Sequence, residues 1–404
     1  MIGFYGDDFT GSVDALLQLR RAGLTGELVT DPSAVQEVSA DVVGVAGTAR
    51  ALATADMEGE VRPVLEALRT AGCDVVLYKA CSTADSSPTI GSLGRAAEIG
   101  REVFGTRPVP VLLAQPDFGR WTVFGTHFAR EGDEVYRLDR QPTMSHHPTT
   151  PMTEADLRRH LSAQTSLTVA GVDFRAYDEG PEAVAARVSA AGDVVVLDAL
   201  TDAHLTVAGA ATWSLPRPVF AIGSGGFALG LGRVAGGRAA PLPTVAPRLD
   251  GPVLVVSGSC SGMSWRQIRT AVDAGWAEVG ALAPDGPAQA ADAYASGSHV
   301  VAYSARGAAE AGVSSSEVSE RLATVVRTVL SQRPVARLVV AGGDTCGQVL
   351  RLLGARSLRI LAAPWGNLPL VEVRGGDLDG MQVVLKGGQV GVPDTYVRIA
   401  EESR

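Results

Sequence analysis

The sequence predicts an α/β protein of two domains, each a mostly parallel sheet flanked by helices, with a cleft between them. Three observations lead there. The chain has 404 residues, more than one hydrophobic core usually serves. Short, near-continuous Val/Leu/Ile runs alternate with helical stretches, the pattern of parallel strands buried on both faces. Between residues 236 and 252 the chain reads GGRAAPLPTVAPRLDGP, rich in proline and glycine and without apolar periodicity, which suits an interdomain linker. The expected domains are therefore 1–235 and 253–404.

In the first half, Ile2–Tyr5 reads as a strand and Val13–Ala22 as a helix stopped by Gly23. Strands follow at Val42–Val45, Val75–Tyr78, Val109–Ala114, Leu167–Val172, Val194–Leu197 and Val219–Ile222. Ala183–Ala191 and the Met152–Leu161 region, opened by a Thr153–Asp156 capping spacing, read as helices. Beyond the linker the same alternation resumes. Strands are expected at Val253–Val256, His299–Ser304, Arg337–Ala341, Leu358–Leu361 and Gln382–Leu385, and helices at Ser264–Ala274, Ser314–Gln332 and Gly347–Leu353.

Composition excludes several classes. Apolar residues make up 46% and charged residues 20%, ordinary for a globular chain and unlike disordered or collagenous ones. No apolar run approaches the ~20 residues that span a bilayer, and the opening MIGFYGDDFTG lacks a basic leader pattern, so a soluble, cytoplasmic protein is expected. A net charge of −9 argues against nucleic acid or an anionic membrane as partner. Cys73, Cys81, Cys260 and Cys346 lie far apart with no C-x-x-C, which suits a reducing compartment and no structural zinc. Among 35 basic residues the only lysines are Lys79 and Lys386. GC-rich codon usage accounts for the bias. A lysine surviving it marks a place where a compact ammonium serves and a planar guanidinium does not.

In open α/β sheets ligands bind beyond the carboxyl ends of strands, so the strand-exit loops carry the candidate chemistry. In the C-terminal half these are SGSCSG (257–262), GGDTCG (342–347) and KGGQVG (386–391). Glycine lets backbone N–H groups approach an anion, Ser and Thr add donors, and a helix N-terminus favours negative charge. Three such loops at one sheet edge fit a polyphosphate. No G-x-x-x-x-G-K-[ST] is present, which excludes a P-loop NTPase. The G-x-G-x-x-A at Gly223–Ala228 runs into the linker, and the first acid after it is Asp250, so it reads as a packing turn and not as a dinucleotide site.

The N-terminal loops suit a polyhydroxylated anion. Asp7 and Asp8 leave the first strand side by side, so one can face a ligand while the other caps the following helix. Lys79 opens KACSTADSSPTIG and either pairs with Asp7 or Asp8 or binds a substrate carboxylate. Arg50, ending GVAGTAR, is a second carboxylate clamp. His146 and His147, adjacent and without further ligands at metal spacing, read as hydrogen-bonded loop residues.

Taken together, GFYGDDFTGSVDAL, YKACSTADSSPTIGSLGRA, HHPTTPMTEADL, VVVLDAL, VVSGSCSGMSW, VVAGGDTCG and LKGGQVG resemble the four-carbon acid sugar kinases, whose members phosphorylate acids such as threonate, erythronate and 3-oxo-tetronate. The resemblance runs from Ile2 to about Ile399, in order. It implies an N-terminal domain that binds the sugar acid through Asp7, Asp8, Lys79, Ser82, Asp85 and Ser86. It also implies a C-terminal domain that binds ATP through Ser257, Gly258, Ser259, Gly342, Gly343, Asp344, Thr345, Gly387 and Gly388. The loop CSTADSS differs from the arginine-glycine pair that threonate kinase-like members carry at Asp85–Ser86. It is nearer the CSTFDST of the oxo-tetronate type, with Ala84 in place of the aromatic residue.

The reaction expected is transfer of the γ-phosphoryl group of ATP, with Mg²⁺, to a terminal hydroxyl of the acid. Asp8 or Asp7 would be the base, Lys79 and Arg50 would hold the substrate carboxylate or stabilise charge, and Lys386 would join the phosphate loops, with Asp344 a metal partner. Domain closure about the linker would exclude water. Two alternatives are a ribokinase-like enzyme with Asp344 as base and a non-catalytic sugar-acid-binding protein. A dehydrogenase is a third, and association into a homo-oligomer is compatible with all.

Overall fold

The computed structural model describes residues 1–105, 108–304 and 313–402, and of Asp344 the backbone only. The chain forms two compact units, Met1–Pro241 and Leu242–Arg404. No helix among the described residues is long and apolar enough to cross a membrane.

The first unit carries strands β1 (Ile2–Gly6), β2 (Gly26–Val29), β3 (Val42–Ala46), β4 (Val75–Lys79), β5 (Val109–Leu112), β6 (Arg120–Val123), β7 (Thr126–Glu131), β8 (Glu134–Arg137), β9 (Val169–Val172), β10 (Val194–Leu197) and β11 (Val219–Gly223). Its helices are α1 (Phe9–Arg21), α2 (Met57–Thr70), α3 (Leu93–Phe104), α4 (Pro142–Ser145), α5 (Leu157–Ser162), α6 (Pro181–Ala191), α7 (Asp202–Trp213) and α8 (Gly225–Ala235). Eight strands pair in parallel in the order β2-β3-β1-β4-β11-β5-β10-β9. Being parallel, they send every carboxyl end to one edge. β1 sits between β3 and β4, so the chain reverses its direction of travel across the sheet there, and the loops after these three strands meet. Strands β6, β7 and β8 form a separate antiparallel meander after β5, bridged back by Thr122 to Ala199 and by Thr126 to Asp156.

The second unit repeats the plan. Its strands are β12 (Val253–Ser257), β13 (Ala277–Gly280), β14 (Val300–Tyr303), β15 (Arg337–Ala341), β16 (Ser357–Trp365), β17 (Leu368–Arg374) and β18 (Gln382–Lys386). Its helices are α9 (Gly262–Asp273), α10 (Gly286–Ala295), α11 (Ser315–Gln332), α12 (Gly343–Leu352) and α13 (Thr395–Glu401). The order is β13-β14-β12-β15-β18-β17-β16. Strands β13 to β18 in that row are parallel, whereas β17 runs antiparallel to both β18 and β16. β12, β15 and β18 are thus neighbours, and the three glycine-rich loops leave one edge side by side.

Two helix starts need correction, and the linker segment is hydrogen-bonded along its length. The region from Met152 is not helical until Leu157, because Asp156 and not Thr153 is the N-cap, its carboxylate accepting from Arg158 N. The segment 236–252 does not run free: Ala239 N donates to Gly23 O at 2.8 Å, Pro243 O accepts from Ala363 N at 2.8 Å, and Pro247 O accepts from Arg337 at 2.9 Å. Helix α12 begins at Gly343, four residues before its expected start, with Gly342 at φ 128° making the turn into it.

The G-x-G-x-x-A closes β11 and opens α8, and its glycines are there for contact. A Cβ on Gly226 would lie 2.2 Å from Ala114 O, and one on Gly225 2.2 Å from Asp14 Oδ2. Helices α7 and α8 touch the same way: a Cβ on Gly209 would sit 2.4 Å from Gly230 O, and one on Gly230 2.2 Å from Leu205 O. The neighbours of Gly209 and Gly230 are backbone and cannot step aside. Gly209→Ala should therefore lower stability by about 2 kcal/mol despite alanine's better helix propensity, read as a fall in the thermal midpoint.

Candidate active site

The acid pair divides its labour as adjacent strand-exit residues must. Asp8 is the N-cap of α1, in extended conformation, with Oδ1 accepting from Gly11 N at 3.0 Å and Oδ2 from Thr10 Oγ1 at 2.9 Å. Asp7 turns into the sheet edge and is buried at 1% exposure. Arg50, from the loop after β3, reaches both. Its Nη2 lies 2.6 Å from Asp7 Oδ1 and 2.7 Å from Asp8 Oδ1, and its Nε 3.3 Å from Asp7 Oδ2. Backbone bonds fix the three loops to one another: Asp7 N donates to Lys79 O, Arg50 N to Asp7 O and Gly47 N to Gly6 O.

Lys79 is buried and donates to Ala80 O at 2.9 Å. Its ion-pair partner is Asp14, on the second turn of α1, at 3.9 Å, and not Asp7 or Asp8 as the sequence suggested. Asp14 also lies within reach of Gln115 and accepts from Gln18 Nε2 at 3.1 Å. Around Gly11 the charges converge: its Cβ position is 2.2 Å from Asp8 Oδ1, 3.0 Å from Lys79 Nζ and 3.4 Å from Arg50 Nη2. Burial pushes the Asp7 carboxyl up to about 6, against the pull of Arg50. Burial would raise Asp8 too, but Arg50, Lys79, Thr10 and Gly11 hold it below the ordinary range. The two carboxylates outweigh burial at Arg50 and keep its charge firmly in place.

The loop after β4 is propped by side chains from distant sequence. Ser82 offers its carbonyl to His127 Nε2 at 2.8 Å, and His127 Nδ1 lies 2.9 Å from Thr122 Oγ1. A carbonyl only accepts, so Nε2 carries a proton. Asp85 meets Thr150 Oγ1 and lies 3.9 Å from His147 Nδ1. Ser86 is buried, with its hydroxyl donating to Ala84 O and lying 2.9 Å from His160 Nε2 and 3.0 Å from Gln164 Nε2. Its hydroxyl is thus committed inside the protein. Ala84, between them, is buried in left-handed conformation with φ 54°. His146 bonds within its own loop, to Ser145 and Pro142 O, and His147 to Thr150. His127, His160, Gln164 and Asp14 were not singled out from the sequence, and nothing at their positions sets them apart from ordinary helix and strand residues.

In the second unit the three loops interlock. Gly258 N donates to Ala341 O and Gly342 N to Lys386 O. Cβ positions on Gly258 and Gly342 would fall 2.4 and 2.6 Å from Thr345 Oγ1, and one on Gly388 2.8 Å from Ser259 Oγ. Ser261 Oγ and Ser264 Oγ donate to Gly388 O at 2.6 and 2.9 Å. Ser257, the last residue of β12, is buried. Lys386 is fully buried, and burial pushes its ammonium down to about 8. Gly343 and Asp344 lie in the first turn of α12, and the Asp344 side chain is outside the described residues. Close-packed glycines, inward hydroxyls and a helix start suit phosphate oxygens.

Burial pushes the His127 imidazole down to about 4, so the folded chain holds it neutral above that pH. The unfolded chain then binds the extra proton between about pH 6.5 and 4, so stability is full above that window and is lost as pH falls through it. The loss should amount to about 3 kcal/mol. His127→Gln, which keeps a donor for Ser82 O, should flatten the thermal midpoint against pH in that range.

Residues 2–231 match the model of a sugar-binding N-terminal domain, and residues 254–396 that of a nucleotide-binding C-terminal domain. The chain is 34% identical to a 3-oxo-isoapionate kinase of Paraburkholderia graminis, across 100% of this chain and 94% of that protein. It is 33% identical to a 3-oxo-tetronate kinase of Pseudomonas fluorescens, across 98% and 95%. A crystal structure of a Salmonella typhimurium LT2 protein, described as a tRNA synthase, superposes with a TM-score of 0.82 at 25% identity, covering 100% of this chain and 99% of that one. With both domain models matched in order and kinases aligned along its whole length, the chain belongs to the four-carbon acid sugar kinase family and is a phosphotransferase.

Proposed function

We propose that this kinase transfers the γ-phosphoryl group of ATP to a terminal hydroxyl of a four-carbon sugar acid, of the threonate, erythronate or 3-oxo-tetronate type. The observation that carries the reading is the charge cluster at the exit of β1, where Asp7, Asp8, Arg50 and Lys79 share one sheet edge. A sugar acid presents a carboxylate and several hydroxyls, and this edge offers cations for the first and carboxylates for the second.

Asp8 is the base in this reading. Its side chain retains 16% exposure where Asp7 has 1%. It accepts the hydroxyl proton as the oxygen bonds to phosphorus, and ADP departs. Asp7 holds Arg50 in place, and Lys79 faces the substrate carboxylate. Asp85 and the Ser82 segment shape the pocket for the sugar hydroxyls, while Ser86 supports that loop from behind. Ser257, Gly258, Ser259, Gly342, Gly343, Thr345, Gly387 and Gly388 would hold the ATP phosphates. Mg²⁺, with Asp344 as a protein partner, would neutralise the charge that builds up on them.

Substitution of the two acids separates the roles. Asn keeps the N-cap at position 8, so Asp8→Asn should fold normally and bind ATP normally while kcat falls about 10²–10³-fold. Asp7→Asn should cost less in kcat and more in thermal midpoint. Near-wild-type turnover in both would remove the acid pair from the chemistry. Lost turnover in Asp344→Asn with nucleotide affinity intact would place the base in the second unit instead. ADP release over a panel of D- and L-threonate, erythronate and 3-oxo-tetronates identifies the acid, and silence across it would favour a sugar-acid-binding protein.

A further inference from the structure

Lys386 ends β18 with no exposed surface, and its ammonium is already fully engaged. Nζ lies 3.1 Å from Ser264 Oγ, 2.9 Å from Gly387 O and 3.1 Å from Gly388 O. An ammonium has three N–H donors, and here three acceptors take them. None is left for a phosphate oxygen. Gly388 O is the focus of the arrangement, since Ser261 Oγ and Ser264 Oγ also donate to it.

The consequence for the backbone follows from peptide planarity. In a trans peptide the C=O of one residue and the N–H of the next point in opposite directions. Drawing the Gly387 and Gly388 carbonyls inward therefore turns the Gly388 and Gln389 N–H groups outward. Among the described residues neither N–H has an acceptor. Two successive free amides on a glycine turn make an anion-binding concavity.

We infer that Lys386 is a positioning residue, an internal cation whose contacts with the Gly387 and Gly388 carbonyls hold the following amides in an anion-binding shape without touching the nucleotide. The inference rests on the reading of the second unit as the nucleotide site. It also accounts for a lysine here in an arginine-rich chain: a planar fork cannot meet a hydroxyl and two carbonyls crowded around one point.

The full-length chain tests it with Lys386→Met, Lys386→Arg and Ser264→Ala, each checked for folding by thermal melt. Calorimetry gives ADP and ATP dissociation constants, and hydrogen exchange without nucleotide follows residues 387–391. Lys386→Met should weaken ADP and ATP by the same factor, about tenfold or more, since what is lost is loop shape. Exchange in the segment should quicken, and added ammonium, but not tetramethylammonium, should restore affinity in part. Lys386→Arg should fail although charge is kept, and Ser264→Ala should show the same pattern more weakly with the lysine still present. ATP weakened with ADP unchanged would overturn the inference and make Lys386 a direct γ-phosphate ligand. So would unchanged exchange in all three variants. If the wild type binds neither nucleotide, the nucleotide reading falls, while the exchange comparison still decides the role of Lys386 in the loop.

Discussion

One guanidinium shared by two carboxylates organises the first unit's functional edge. Asp7 and Asp8 are consecutive, both largely withdrawn from water, and like charges at that spacing repel strongly where the dielectric is low. Arg50 makes their coexistence tolerable. The arrangement requires the loop after β3 to lie beside the loop after β1, which parallel pairing of those strands supplies. Sheet topology and charge balance thus constrain each other: without the adjacency the acid pair would lack its cation, and without the cation one acid would protonate.

Both units apply one construction rule to different chemistry. In each, a central strand has neighbours added on opposite sides, and the loops at its carboxyl end lie beside those of the flanking strands. In the first unit those loops carry full charges on side chains. In the second they carry hydroxyls and backbone dipoles, with the only buried lysine of that unit engaged behind the turn. Charged side chains suit a small polar substrate whose carboxylate must be fixed, while backbone amides suit phosphates, which are large, symmetric and need many weak donors.

Much of the fold was legible because its strands are buried on both faces. Val42–Val45, Val75–Tyr78, Val194–Leu197 and Arg337–Ala341 announce themselves as near-continuous apolar runs, the last opened by an arginine, and the structure has strands there. Helix α7 was missed because its Ala- and Gly-rich faces show little 3.6-residue contrast, and α8 because its opening glycines read as a packing turn before the linker. The β6–β8 meander was missed because its strands are short and partly exposed. In the site, Asp7, Asp8, Arg50 and Lys79 stood out by position, each at the carboxyl end of a strand or in the loop that leaves it. His127, His160 and Asp14 act through partners dozens of residues away, and the sequence holds no local trace of such pairings.

The loop that follows β4 has its shape imposed from outside. His127 on β7, His160 on α5 and Thr150 ahead of α5 each hold a different point of it, and a buried alanine in left-handed conformation is retained under that pressure. A loop set by its own backbone could change preference only by changing its own residues. One set by its props can be reshaped by substitutions in the meander or in α5 that never meet a ligand. With that loop lining the acid site as proposed, selectivity is open to drift at positions that a survey of ligand-contacting residues alone would pass over.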